Sequence, residues 1–148
     1  MDPSVTMLSV DYTRLGWTKG FYTMDKVLVI ALGGALGALI RVYSGEWIMA
    51  RLPGDFPYGT MVVNCLGALL IGLFLGLFME HSEWPAWAKY LLVGGGLGAF
   101  TTFSTFAFEL LQLLMDGAYI GALAYGGIQL VGGLFVCYVG LVLARLLA

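Results

Sequence analysis

The chain has 148 residues, of which 60% are hydrophobic and only 11% charged, and its mean hydropathy of +0.91 lies far above that of an ordinary globular domain. A net charge of −2 with no basic patch excludes nucleic acid as a partner. The single histidine, His81, falls in a polar loop, and Cys65 and Cys137 sit in mid-span sequence at no ligand spacing, which argues against a His-based catalytic or metal site. The charges gather at the edges of long apolar runs, so the class to consider is a multi-pass membrane protein.

Residues 1–23 differ in kind from the rest of the chain. No run there is long enough to span a bilayer, and the compact apolar core and cleavage site of a signal peptide are missing. Val5, Leu8, Tyr12 and Leu15 follow helical spacing, and Trp17, Phe21 and Tyr22 suit a membrane surface. Two readings stand for this extension: an interfacial amphipathic helix, or a tail preceding an older start at Met24.

The first span runs from about Asp25 to Ala50, with Gly33 and Gly37 spaced for close helix contact. Arg41 interrupts it, followed by Tyr43, Ser44 and Glu46. An arginine inside a span faces a partner, a vestibule or an interface, or else snorkels to the headgroups. Residues 51–57 form a turn cluster. The second span, about Tyr58 to Met79, has one strongly polar side chain, Asn64, which serves either as interhelical glue or as a donor to a passing anion. After a polar loop with two tryptophans, the third span covers about Ala88 to Met115. Asp116-Gly117 makes a turn, and the fourth span runs from about Ala118 to Leu147 without a single Ser or Thr. Residues 24–148 thus form one domain of four short helices.

The unusual stretch is Gly94 to Glu109, inside the third span. It places Thr101, Thr102, Ser104 and Thr105 at membrane depth, interleaved with Phe100, Phe103, Phe106 and Phe108 and preceded by glycines. Irregular backbone at that depth survives only when buried in protein or lining a wet or ionic path, so the third helix is expected to break there, with unwinding around Gly98 to Thr102. Released carbonyls can hold a small cation. The positive ring edges of Phe103 and Phe106, three residues apart on one helix face, and the hydroxyls of Ser104 and Thr105 can face an anion. Dense packing of Phe, Thr and Gly is the plainer reading, but it leaves the run of hydroxyls unexplained. Four short helices pack nearly solid, so a pathway calls for a second subunit, and the Gly and Ala faces suit that contact. Lys26, Lys89 and Arg145 against Arg41 and Arg51 leave the two sides of the membrane nearly balanced; Arg14 and Lys19 of the extension tilt the count towards termini inside.

From about Met24 onward the chain resembles the Fluc/CrcB family of fluoride channels. The resemblance rests on GGALGALIRVY ending in Arg41 and Tyr43, on VVNCLGALLIG with Asn64 and Gly67, and on GAFTTFSTFAFE. It implies an all-α membrane protein in the cell's inner (plasma) membrane, its third helix broken, paired as an antiparallel dual-topology homodimer with two fluoride pores. A central structural sodium ion (Na+) would be held by main-chain carbonyls matching Gly98 and Thr101 of both subunits. Phe103 and Phe106 would line the pores, Asn64 would be the pore amide, Arg41 the first-helix arginine near the vestibule, and Glu109 the third-helix glutamate. Export would be passive: fluoride enters acidified cells as HF, ionises, and leaves down its gradient, which gives fluoride resistance. Three features depart from the family pattern: Gly98-Ala99-Phe100 ahead of the threonines, the fourth helix without Ser or Thr, and the extension. The two positive charges of the extension argue against easy dual insertion and keep open a heterodimer with a paralogue.

Two readings of other classes compete. A proton-coupled exporter of small cations would need a carboxylate deep in the first span, whereas Glu46 lies late, beside Arg41. A non-transporting membrane scaffold would explain Asn64 and the Gly faces but not the hydroxyl–aromatic string. An enzyme finds no support, since Ser104 has no histidine near it in any span.

Overall fold

The computed structural model describes residues 23–52 and 54–148; the expected amphipathic helix of the extension, with Arg14 and Lys19, lies outside them. Four helices long and apolar enough to cross a membrane make up the described chain: α1 (Thr23–Met49), α2 (Tyr58–Glu80), α3 (Ala86–Met115) and α4 (Tyr119–Leu147). Their ends fall close to the boundaries read from the sequence.

Local chemistry sets the ends. Beyond α1, the Arg51 guanidinium lies 3.7 Å over the Trp47 ring and donates through Nη1 to the Trp47 carbonyl at 3.0 Å, covering one of the helix's orphan carbonyls. Beyond α3, Gly117 takes φ +74°, a left-handed conformation that favours glycine. The Ala118 N–H then reaches back to the Leu113 carbonyl and the Gly117 N–H to that of Leu114, the paired bonds of a Schellman stop. Between α2 and α3, Trp84 stacks on His81 and meets the Phe78 ring edge-on, while His81 Nδ1 lies 3.2 Å from Glu83 Oε1.

Helix packing is backbone against backbone. α2 and α4 form the most extensive contact and α1 packs on the first half of α3. A Cβ on Gly72 would overlap the Cys137 carbonyl oxygen, and one on Gly140 would overlap that of Leu69 and come within 2.8 Å of the Leu73 nitrogen. Across the other pair, Gly33 and Gly37 abut the Leu91 and Gly96 carbonyls in the same way. In lipid the hydrophobic effect does not drive helices together, so close approach through small residues supplies the dispersion contacts that do. The buried centre, Val63, Leu97 and Phe100, is flanked by Ile48, Leu70, Ile71 and Phe74. The outer faces of α1 (Leu28, Leu32, Leu36, Leu39) and α4 (Ile120, Leu123, Leu134, Phe135) are exposed on the single chain.

The break in α3 is shorter than the sequence suggested. Residues Gly98–Phe100 remain helical, with Gly98 itself at φ −61°, ψ −34°, and only Thr101 (φ −85°, ψ 154°) and Thr102 (φ −146°, ψ 114°) are extended. The reason is that the Thr101 N–H still closes on the Leu97 carbonyl at 3.1 Å, so the ladder fails one residue later. Two stretches, Tyr90–Leu97 of α3 and Ile128–Gly132 of α4, have the wider π-helical register, which redirects the side chains they carry.

Because Gly140 faces backbone, Gly140→Leu should cost at least about 2 kcal/mol of stability through overpacking. A thermal-unfolding series in detergent checks this, with Gly127→Ala as the reference, since a Cβ at Gly127 meets nothing within 4 Å. Equal midpoints for both variants would contradict the packing described.

Candidate functional site

Two residues of extended chain in the middle of a membrane helix leave peptide groups that lipid cannot satisfy. Asn64, from α2, satisfies both backbone polar groups of one residue. Its Oδ1 accepts from the Thr102 N–H at 2.8 Å, and its Nδ2 donates to the Thr102 carbonyl at 3.0 Å. That pairing also fixes which way the amide points, since only this orientation gives both bonds. One N–H of Asn64 remains beyond the clamp. Gly67, almost one turn further along α2, makes room for it: a Cβ there would overlap the Thr101 methyl and come within 3.2 Å of the Phe100 ring. The Asn-x-x-Gly spacing is therefore one device, a clasp and a recess on the same helix face.

Thr102 then starts the second half of the helix, Phe103–Met115. Its Oγ1 accepts from the Thr105 N–H at 3.3 Å and contacts the Thr105 hydroxyl at 3.0 Å, which is N-capping at membrane depth. Clamp and cap together free two carbonyls. In a continuous helix the Gly98 carbonyl would accept from the Thr102 N–H, and the Thr101 carbonyl from the Thr105 N–H. Those donors are engaged by Asn64 and by the Thr102 hydroxyl, so both carbonyls leave the helical ladder.

Glu109 is held from two sides. Thr60 Oγ1 of α2 donates to its Oε1 at 2.8 Å, and the Tyr125 hydroxyl of α4 donates to its Oε2 at 2.5 Å. Tyr125 is fully buried, and its ring joins a chain of aromatic contacts: Phe103 on Phe106 at 5.6 Å, Phe106 on Tyr125 at 5.3 Å, and Tyr125 on Phe56 at 5.7 Å. The sequence reading did not single out Thr60 or Tyr125. A signal was present for each: Thr60 lies one turn before Asn64 on the same face, and Tyr125 is one of few polar groups on a helix without Ser or Thr.

Three clefts surround this centre. A vestibule of about 790 Å³ is lined by Glu46, Asp55, Thr60, Glu109 and Asp116 among others. A cleft of about 290 Å³ holds Arg41, Thr60, Thr102 and Thr105. A third, of about 280 Å³, holds Asn64, Thr101, Thr102, Phe103, Phe106 and Gln129. Thr60 borders the first two and Thr102 the last two, so the three clefts adjoin. The chain thus gathers Asn64, Phe103 and Phe106, and places Arg41 with Thr105 across Thr102 from them. Glu109 stands at the vestibule. Ser104 is exposed, its Oγ 3.4 Å from that of Thr102, and Gly98 is exposed on the surface of the single chain. Arg41 Nε is buried with no hydrogen-bond partner among the described residues, so Arg41 is not neutralised there by Glu46.

Among the described residues no group of three His, Cys, Asp or Glu could hold a metal ion. The carbonyls of Gly98 and Thr101 at the break are main-chain oxygens whose helical donors are engaged elsewhere. Towards an anion, the third cleft presents amide N–H groups and ring edges, none of the residues lining it is charged, and its Thr101 and Thr102 hydroxyls donate to the Leu97 carbonyl and the Thr105 hydroxyl.

Comparison with known proteins places these motifs. The family model for CrcB-like protein, Camphor Resistance (CrcB), matches residues 28–141. A relative from Bordetella petrii, named fluoride-specific ion channel FluC, is 43% identical over 120 residues, covering 81% of this chain and 91% of its own. Proteins of the same name from Chloroflexus aurantiacus (42% over 122 residues, 82% and 97% covered) and Pseudomonas syringae pv. tomato (39% over 123 residues, 83% and 99% covered) match over the same extent.

Replacing Asn64 by Leu leaves a Thr102 N–H and carbonyl unpaired at depth and should destabilise the fold by about 2–5 kcal/mol. Unfolding in detergent measures it, and hydrogen exchange at the break should rise with it. An unchanged midpoint would mean the clamp is incidental.

Proposed function

This chain belongs to the CrcB-like family of multi-pass membrane proteins, and from that premise we propose that it is a passive, fluoride-selective ion channel through which cytoplasmic fluoride leaves across the cell's inner (plasma) membrane. The observation that carries the reading is the third cleft, where Asn64, Phe103 and Phe106 converge beside the clamped break. A channel rather than an enzyme is what the names of the relatives describe, and the cleft has no nucleophile–base pair.

Fluoride is small and holds its water strongly, so a path for it needs many weak donors in sequence rather than one tight site. The free N–H of Asn64, the hydroxyl of Thr105 and the positive edges of Phe103 and Phe106 are such donors. None carries a full charge that would trap the ion. Arg41 and Thr105 lie across Thr102, where an anion arriving from the vestibule would be concentrated, and the Thr60–Glu109–Tyr125 triad lines the approach. Ser104 adds a hydroxyl near the cap.

The functional unit is a homodimer of two antiparallel copies with two pores. Three features support it. The apolar faces of α1 and α4 are uncovered. Phe103 is 73% exposed while Phe106 is 5% exposed, so the pair becomes a shared wall only when another chain covers Phe103. The carbonyls of Gly98 and Thr101 have left the helical ladder on a chain whose Gly98 is exposed. With both copies in place those carbonyls would hold a structural sodium ion, whose charge would stabilise their converging dipoles.

Phe106→Ile removes a ring edge, and Asn64→Asp replaces a donor with a carboxylate that repels both an anion and the Thr102 carbonyl. Each should abolish fluoride release from proteoliposomes while Phe106→Ile leaves dimer assembly intact by size-exclusion chromatography. Release at the parent rate in both variants would remove the pathway from this cleft.

A further inference from the structure

A fourth cleft, of about 350 Å³, takes no part in the site: α1, α2 and the first half of α3 enclose it, and no polar side chain lines it. Gly33 and Gly37 of α1 and Gly96 of α3 give it a floor of bare backbone, because a Cβ on Gly33 or Gly37 would overlap a carbonyl of α3. Leu66, Leu70 and Phe74, spaced four residues apart on α2, form one wall. Along α3 the groove residues Leu92, Gly96 and Phe100 also recur every fourth residue, while Gly94 and Gly98, two residues out of step, are exposed on the opposite side. Two copies that meet across the Gly98 and Thr101 carbonyls therefore leave the groove turned to the bilayer. A cation stands at its mouth. Lys26 precedes Gly33 by seven residues, on the same face of α1 and roughly 10 Å nearer the membrane surface. Its Nζ lies 4.5 Å from the centroid of the Tyr90 ring, directly ahead of Leu91 and Leu92 in the groove. Lys26 pairs with no carboxylate among the described residues.

We propose that this groove binds an anionic phospholipid, with one acyl chain along Gly33, Gly37 and Gly96 and the headgroup phosphate on Lys26. An apolar slot open to the bilayer takes up hydrocarbon, and a chain lying in it gains dispersion contacts on three sides that a flat helix face does not offer. The cation selects the headgroup. A lysine ammonium near the membrane surface attracts an anionic lipid, and its contact with a phosphate is a charge-assisted hydrogen bond. The Tyr90 ring holds that ammonium over the mouth by a cation–π contact, so less side-chain freedom is lost on binding. The spacing agrees with the membrane. Lys26 sits at the start of α1, and the groove ends at Ile40, Leu66 and Phe100, beside the break at mid-depth. The bound chain would then brace α1 and α2 next to the clamp, since Phe100 also packs at the Gly67 recess.

The proposal rests on the dimer reading only for the side that the groove faces, and it stands whether or not the third cleft conducts. Its test gives the purified full-length protein dioleoyl phosphatidylglycerol or dioleoyl phosphatidylcholine in detergent and counts the lipid kept by each dimer in native mass spectrometry. One phosphatidylglycerol per subunit should be retained, with an affinity about fivefold above that of phosphatidylcholine, the scale of one lysine at an anionic surface. Lys26→Gln should erase that preference. Leu66→Trp, which fills the groove, should lower retention of both lipids, while Leu28→Trp on the exposed outer face of α1 should change neither. Phosphatidylglycerol should raise the thermal midpoint of the parent but not of Lys26→Gln, and inorganic phosphate alone should raise neither. Equal retention of the two lipids by the parent, or a preference that survives Lys26→Gln, would overturn the proposal. Retention untouched by Leu66→Trp, or a midpoint raised by phosphate alone, would overturn it as well. Lipid on monomers and none on dimers would show that a second copy fills the groove, which also overturns it. The same masses report the oligomeric state, so a chain that never dimerises contradicts the dimer reading separately.

Discussion

Two hydrogen bonds from one side-chain amide to the N–H and the carbonyl of a single residue hold α3 open in the middle of the membrane. Without the Asn64–Thr102 pair, the Thr102 N–H and carbonyl would be left unmet at membrane depth. With it, the chain can run extended for two residues and restart under a threonine cap. The rest of the site depends on that restart. The clamp draws the Thr102 N–H away from the Gly98 carbonyl, and the cap draws the Thr105 N–H away from the Thr101 carbonyl. It also sets where Phe103 and Phe106 begin their new helix, and so which cleft they face.

The clamp needs a rigid frame. Asn64 and Gly67 sit on α2, which is locked to α4 at Gly72 and Gly140, while the first half of α3 is locked to α1 at Gly33 and Gly37. These contacts tolerate no side chain, so neither helix can slide by even a methyl's width without backbone collision. Rigid pairs on either side of an irregular segment are a general way to place donors accurately, because the irregular segment has no packing of its own to hold it. The second polar centre obeys the same logic: Glu109 of α3 is positioned by Thr60 of α2 and Tyr125 of α4, so three helices fix one carboxylate.

Much of this was legible in the residues. Apolar run length and the Gly-rich faces marked the four spans, and Thr101, Thr102, Ser104 and Thr105 at depth marked an interrupted α3. What the sequence could not carry was pairing. Asn64 as glue and Asn64 as pore amide are the same letter. The structure gives it a partner that hydropathy and periodicity never register, the backbone of another helix, and leaves one N–H beyond the clamp. The extent of the break was over-read for a related reason. Gly98 lowers helix propensity, but the neighbouring bond from Thr101 to Leu97 was enough to keep it helical. Thr60 escaped notice, and Tyr125 stood only as one polar residue of the fourth span, because their contact with Glu109 exists only where three separate spans meet. α4 has no Ser or Thr, yet it presents polar groups through the longer side chains of Tyr125 and Gln129.

The most direct test of the account is the initial rate of fluoride release from liposomes holding the purified protein, read by electrode beside a chloride control with the membrane potential clamped at zero. The account predicts fast fluoride release down its gradient and no chloride release above that of empty vesicles. Folded, dimeric protein that releases neither ion, or that releases both at similar rates, would contradict it.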